Sequence, residues 1–238
     1  MIADSLAFHG PTQPELLTHQ GLWPNVLAAM LTERRGAPVE VDLVARYGMT
    51  AREAWWALTK DPRTYSLLLP GADAVVLAVG NMDYLPAVLP AWVRGGIDYL
   101  RPDALRHRVS LSFHTWHPRV VRVTGRWMRT LPQAATDAYL SLCVRGVRHY
   151  RAGVPVVGNV PPLHDARYFA HLVHGHARAV AAMQAWGDRE GVPLLDLNPL
   201  VNPAVAAGTI NTDGIHWSWA VHRAVGEAYA ELLDPLLG

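Results

Sequence analysis

The chain has 238 residues, enough to bury one sizeable core as a single α/β domain spanning 1–238. Half of the residues are apolar and 17% are charged, with a formal net charge of +1; this excludes a disordered or fibrous chain and gives no basic field for nucleic acid. The single cysteine, Cys143, excludes an internal disulfide, and no apolar run reaches the roughly 20 residues that an integral membrane span needs.

Only Met1, Ile2 and Ala3 precede Asp4-Ser5. Either further apolar residues are expected upstream, or the fold tolerates a stub in place of its first strand. The sheet edge left open by a short strand is expected to favour a homodimer. No basic-then-apolar leader precedes Asp4, so a cytoplasmic location is expected.

Apolar residues recur at helical spacing from Trp23 to Arg34, with Pro24 in the first turn. Val39 to Val44 alternates apolar and acidic residues, which predicts a strand with one wetter face. A loop over 45–50 leads into a helix from Ala51 to about Lys60. Asp73 to Val79 is nearly continuously apolar, as buried parallel strands are, and ends in Gly80-Asn81-Met82-Asp83. Further strands are expected at Val154–Val160 and Val192–Leu197. Helices are expected at about Leu85–Tyr99, Ala134–Arg151, Ala166–Glu190 and Trp217–Leu233.

Strands alternating with helices predict a three-layer α/β/α sandwich around a mostly parallel five-stranded sheet, with ligands beyond the carboxyl ends of the strands. The segment 101–132 departs from this rhythm. Its seven arginines, from Arg101 to Arg129, alternate with Phe113, His114, Trp116, His117 and Trp127, and it reads as a helical insertion capping the active edge. The apolar setting of Cys143 predicts a buried, inert thiol.

Near the far end, Thr212-Asp213-Gly214-Ile215-His216-Trp217-Ser218 sets an aspartate and a histidine three residues apart before a helix. Such a pair can hold an imidazole in one tautomer while its other nitrogen faces a nucleophile. Ser5, after Asp4, is the candidate nucleophile. His171, His174 and His176 lie at near-helical spacing, but no carboxylate completes a set, and no metal site is expected.

Asp4-Ser5-Leu6 with Asp213-x-x-His216 resembles the SGNH (GDSL) family of serine esterases and acyltransferases, which implies a flavodoxin-like fold. The resemblance implies Ser5, His216 and Asp213 as the triad, with the Ser5 and Gly48 N–H groups as oxyanion donors. The family block Gly-x-Asn-Asp stands here as Gly80-Asn81-Met82-Asp83. Asn81 then serves as the further donor by a small shift, or the hole works with backbone donors alone.

A narrower pattern is similar to the actinobacterial diglucosylglycerate octanoyltransferases, which act in methylglucose lipopolysaccharide assembly. It comprises Trp23-Pro24-Asn25, Ala54-Trp55-Trp56-Ala57, Gly80 to Pro90, Tyr99-Leu100-Arg101-Pro102 and Asp213 to Trp217. That resemblance implies transfer of an octanoyl group from acyl-CoA, a substrate and not a cofactor, to a sugar hydroxyl of a glucosylglycerate-type acceptor. Met82, Asp83, Tyr84, His164 and Trp217 are then the candidate substrate contacts. The arginines of 101–129 suit CoA phosphates or a glycerate carboxylate, or form a solvated face. A plain esterase with the same triad and a non-catalytic sugar- or acyl-binding relative are the alternatives.

Overall fold

In the computed structural model the described residues are 1–88, 99–124, 129–171, 175–211 and 213–238, without the side chains of 110, 111 and 114. Most of the expected helix from Leu85 to Tyr99 lies outside them, as do Arg126, Trp127, His174, Thr212 and the side chain of His114.

Five parallel strands form one sheet: β1 (Ile2–Ala3), β2 (Val44–Ala45), β3 (Val75–Ala78), β4 (Val156–Val160) and β5 (Leu194–Asp196). Their order is β2-β1-β3-β4-β5, the flavodoxin-like arrangement expected, so the winding reverses between β1 and β3. Although it has two residues, β1 is paired on both sides, Ile2 with Val44 and Leu77, and Ala3 with Ala45 and Ala78. The short partner explains a correction at Val39–Val44. Only Val44 and Ala45 find strand partners, so the alternating stretch before them joins no ladder.

Alternate strand residues feed two cores on opposite faces, as the two-residue period of a strand requires. Ile2, Val75, Leu77 and Val156 pack under α2 (Ala51–Lys60), α4 (Gln133–Tyr150) and α5 (His176–Glu190), through side chains such as Leu58, Leu140, Val144 and Trp186. Ala3, Val76, Ala78 and Val157 pack on the other face under α1 (Trp23–Arg35), α6 (Asn198–Ala206) and α7 (Trp219–Leu233). Each large aliphatic side chain buried this way contributes about 1.5–3 kcal/mol. Cys143 is buried in the first core, and burial pushes its thiol up, as its apolar setting predicts.

Local sequence fixes most helix ends. Thr50 and Glu53 form a reciprocal capping box that starts α2, and Gly36 in the left-handed region ends α1. Two helical expectations are corrected. The run from Ala166 yields only a 3₁₀ turn (Arg167–Phe169), because Ala170, His171 and Gly175 take positive φ, and α5 begins at His176. The last helix starts at Trp219, where the Ser218 hydroxyl accepts from the Val221 N–H.

The segment 101–132 supplies α3 (Asp103–Thr124), which buries Phe113, His117 and Val121. Its His117 ring stacks on Tyr168 at 4.2 Å and its Nδ1 donates to the Tyr168 carbonyl, which fixes α3 against the loop after β4, at the carboxyl edge. Arg108, Arg119 and Arg122 are exposed, and Arg106 pairs with Asp103 at 3.3 Å. No described helix is long and apolar enough to cross a membrane.

Candidate active site

Ser5 opens a 3₁₀ turn (Ser5–Ala7) directly after β1, at the point where the winding reverses. The turn is built by Asp4, whose Oδ1 accepts the Leu6 N–H at 3.0 Å. On the other side, Asp165 N–H donates to the Gly214 carbonyl at 3.0 Å, which ties the loop after β4 to the turn carrying Asp213 and His216. Two distant parts of the chain thereby converge: Ser5 Oγ lies 3.0 Å from His216 Nε2, and His216 Nδ1 lies 2.6 Å from Asp213 Oδ2.

The electrostatics fix the tautomer. Partial burial pushes the Asp213 carboxyl up, but hydrogen bonds from the His216 ring and from the His216 and Ile215 N–H groups outweigh it and hold the carboxyl down at about 2. The carboxylate therefore accepts the Nδ1 proton, and the Nε2 lone pair is left for the Ser5 hydroxyl. Such an arrangement can take the serine proton as the oxygen attacks an acyl carbon and stabilise the imidazolium that forms.

Gly48 lies in a turn beside β1, where Arg46 N–H donates to the Ala3 carbonyl at 3.4 Å. It takes φ +61, in the left-handed region, with open space where a Cβ would stand. Its neighbour Tyr47 is 59% exposed and presents its ring edge-on to Phe8 and His216, forming a rim. Among the described residues, neither the Ser5 N–H nor the Gly48 N–H has an acceptor.

Of the two alternatives for the oxyanion hole, the contacts of the Asn81 side chain bear on the first. Its Nδ2 donates to Asp4 Oδ2 at 3.1 Å and to the Ala78 carbonyl at 3.5 Å, while its Oδ1 accepts from Asn159 Nδ2 at 2.6 Å. Tyr229 Oη then donates to Asn159 Oδ1 at 3.2 Å. One amide hydrogen is thus committed to Asp4 and the other is directed at the Ala78 carbonyl, so the Asn81 side chain belongs to this buried chain. Burial pushes the Asp4 carboxyl up to about 6, against the Leu6, Asn81 and His216 interactions that lower it.

Four of the expected substrate contacts are buried, as Ser5 itself is. Asp83 is buried beneath α2, where it accepts from the Ala51 N–H at 3.3 Å and the Thr136 hydroxyl at 2.9 Å, and burial pushes its carboxyl up to about 7. Tyr84 is buried and donates to the Pro162 carbonyl at 2.8 Å. Trp217 packs in the second core. His164 is 3% exposed, and burial, reinforced by His176 and His216, lowers its imidazole to about 4. Met82 is half-buried against Tyr84, Leu85 and Phe169. His171 pairs with Asp165 at 2.5 Å, and His176 donates to the Pro161 carbonyl at 3.1 Å.

The residue overlooked in the sequence is His9. Its ring lies flat on that of His216, centroids 3.6 Å apart and planes 13° apart. Its spacing, four residues after Ser5, is the one local signal of this place, and in the structure its N–H donates to the Ser5 carbonyl at 2.9 Å.

No family model matches the chain. Over 233 residues it is 36% identical to the diglucosylglycerate octanoyltransferase of Mycobacterium tuberculosis, covering 98% of this chain and 90% of that protein. It is equally identical over 233 residues to the protein of the same name from Mycolicibacterium hassiacum, of which 93% is covered. Among solved structures it resembles a lipase/acylhydrolase from Enterococcus faecalis, with TM-score 0.60 and 15% identity over 98% of this chain and 94% of the other. It also resembles Est24, a carbohydrate acetylesterase from Sinorhizobium meliloti, with TM-score 0.58 and 14% identity over 99% and 97% of the two chains. At such identities the structural likeness speaks for the fold alone.

Proposed function

Because the chain belongs to the diglucosylglycerate octanoyltransferase family of SGNH-fold enzymes, we propose that it moves an octanoyl group from acyl-CoA to a hydroxyl of a diglucosylglycerate-type sugar through an ester on Ser5. The identity of 36% across 98% of the chain carries this reading. The contacts of Ser5, His216 and Asp213 support the mechanism proposed for it.

In the first half, Ser5 Oγ attacks the thioester carbonyl while His216 Nε2 takes its proton. The C–S bond then breaks, and the thiol of CoA leaves with that proton. In the second half, the sugar hydroxyl gives its proton to His216 and attacks the Ser5 ester, and Ser5 recovers the proton as the C–O bond to the enzyme breaks. Asp213 orients the ring and stabilises its charge throughout. The N–H groups of Ser5 and Gly48 are the oxyanion donors in this reading, each worth about 10² to 10³ in rate.

The half-buried Met82 and the Tyr47–Phe8 rim offer apolar surface for the acyl chain. The α3 cap beside the loop after β4 would limit water while the ester waits. Mass spectrometry of the products from octanoyl-CoA and diglucosylglycerate tests the reading. Octanoyl-diglucosylglycerate is expected; free octanoate alone at saturating acceptor would refute transfer and indicate a hydrolase.

A further inference from the structure

The turn that carries Ser5 also carries a second histidine whose place the triad chemistry does not explain. His9 is 9% exposed and its ring is stacked on the His216 imidazole at 3.6 Å. Its own position is fixed from several directions. The ring Nδ1 donates to the Gly10 carbonyl at 2.7 Å, and the backbone N–H donates to the Ser5 carbonyl at 2.9 Å. The backbone carbonyl accepts from His222 Nε2 at 3.0 Å.

His222 is fully buried, and its Nδ1 accepts the Trp23 N–H at 3.3 Å, so one neutral tautomer satisfies both of its nitrogens. Burial keeps it neutral, with its imidazole lowered to about 4. It ties His9 to α1 and α7, the helices of the second core.

His9, Asp213 and His216 also bring three ligand atoms within 4.8 Å of one another. A shared metal ion does not account for them. Imidazole nitrogens direct their lone pairs in the ring plane, and two nearly parallel planes 3.6 Å apart do not both meet an ion at the roughly 2.0–2.1 Å of a zinc–imidazole bond.

We propose that His9 is a positioning residue: its ring forms a flat wall that keeps the His216 imidazole in the plane where Nδ1 meets Asp213 and Nε2 meets Ser5. The inference rests on the triad reading above. Two hydrogen bonds hold the His216 ring along one line only, so rotation about that line is what the wall opposes. A face contact is free of charge exchange and leaves both ring nitrogens to the reaction.

The test compares His9→Ala with His9→Phe, both of which lose the bond to Gly10, while only the second keeps a flat ring. The readouts are kcat, KM for octanoyl-CoA, the rate of Ser5 labelling by a fluorophosphonate, and the melting temperature. His9→Ala is expected to lower kcat and the labelling rate by on the order of 10- to 100-fold, with KM nearly unchanged. His9→Phe is expected to recover most of that loss at a similar melting temperature. Should His9→Ala not fold, His9→Leu, which fills the space without a flat ring, is read in its place.

Wild-type kcat in the ring-less variant, or an equal loss in His9→Phe, would overturn the inference. Ser5→Ala in the same assay separates the two levels: retained transfer would overturn the triad reading itself, whereas abolished transfer beside a fully active His9→Ala would overturn only the role of His9.

Discussion

Gly214 and Asp165 approach so closely that a Cβ on Gly214 would lie 1.8 Å from the Asp165 carbonyl oxygen. Gly214 also takes φ +71, where side chains other than glycine are strained. The turn holding Asp213 and His216 therefore sits where it does because one residue within it has no side chain. Gly214→Ala is expected to push the turn off the loop after β4 and to cost up to about 10²-fold in kcat, by analogy with other small misplacements of reacting groups. Steady-state kinetics beside a melting curve checks this; wild-type kcat would contradict it.

The chain from Asp4 through Asn81 and Asn159 to Tyr229 predicts where mutations act. Asn81→Ala leaves Asp4 Oδ2 and Asn159 Nδ2 short of partners, and is expected to cost about 1–3 kcal/mol of stability for each buried group left unsatisfied. Tyr229→Phe removes one bond and is expected to cost about 1 kcal/mol. Denaturant titration measures both. A loss of 10²- to 10³-fold in kcat for Asn81→Ala with unchanged stability would instead mark its side chain as an oxyanion donor.

Two buried carboxyls give stability a defined pH dependence. Asp4 and Asp83 have folded-state values of about 6 and about 7, both raised from 3.8 chiefly by burial. Between pH 3.8 and 7 the folded chain binds more protons at these sites than the unfolded chain, so their contribution falls as pH rises. Asp213 has the opposite sign: lowered to about 2, it contributes stability above pH 3.8 that is lost as pH falls through 2. Denaturant unfolding at pH 5 and pH 7.5 is expected to show a steeper decline in the wild type than in Asp83→Asn. Equal slopes would contradict the assignment to Asp83.

Much of this was legible locally. The apolar run at Asp73–Val79 marked β3, the capping residues Thr50 and Glu53 delimit α2, and the spacing of Asp213 and His216 announced a pair that meets Ser5. The rest depended on contacts between distant residues. Helix α6 begins with Asn198-Pro199 and contains Pro203, so its periodicity is masked; it is started by Asp196 Oδ1, which accepts from the Asn198 N–H at 3.0 Å. Asp83, Tyr84, His164 and Trp217 follow strand ends or precede a helix, where sequence suggests a site, yet tertiary packing turns each inward. The amide of Asn81 is claimed by partners at positions 4 and 159, which no local pattern displays.

In the proposed reaction Ser5 carries the acyl group between donor and sugar. Its most direct test is peptide-resolved mass spectrometry of the enzyme after a short exposure to octanoyl-CoA, with and without a chase of diglucosylglycerate. An octanoyl ester on Ser5 is expected that disappears on the chase as octanoyl-diglucosylglycerate forms, with neither species in Ser5→Ala. Octanoylated sugar formed by Ser5→Ala at the wild-type rate would contradict transfer through Ser5.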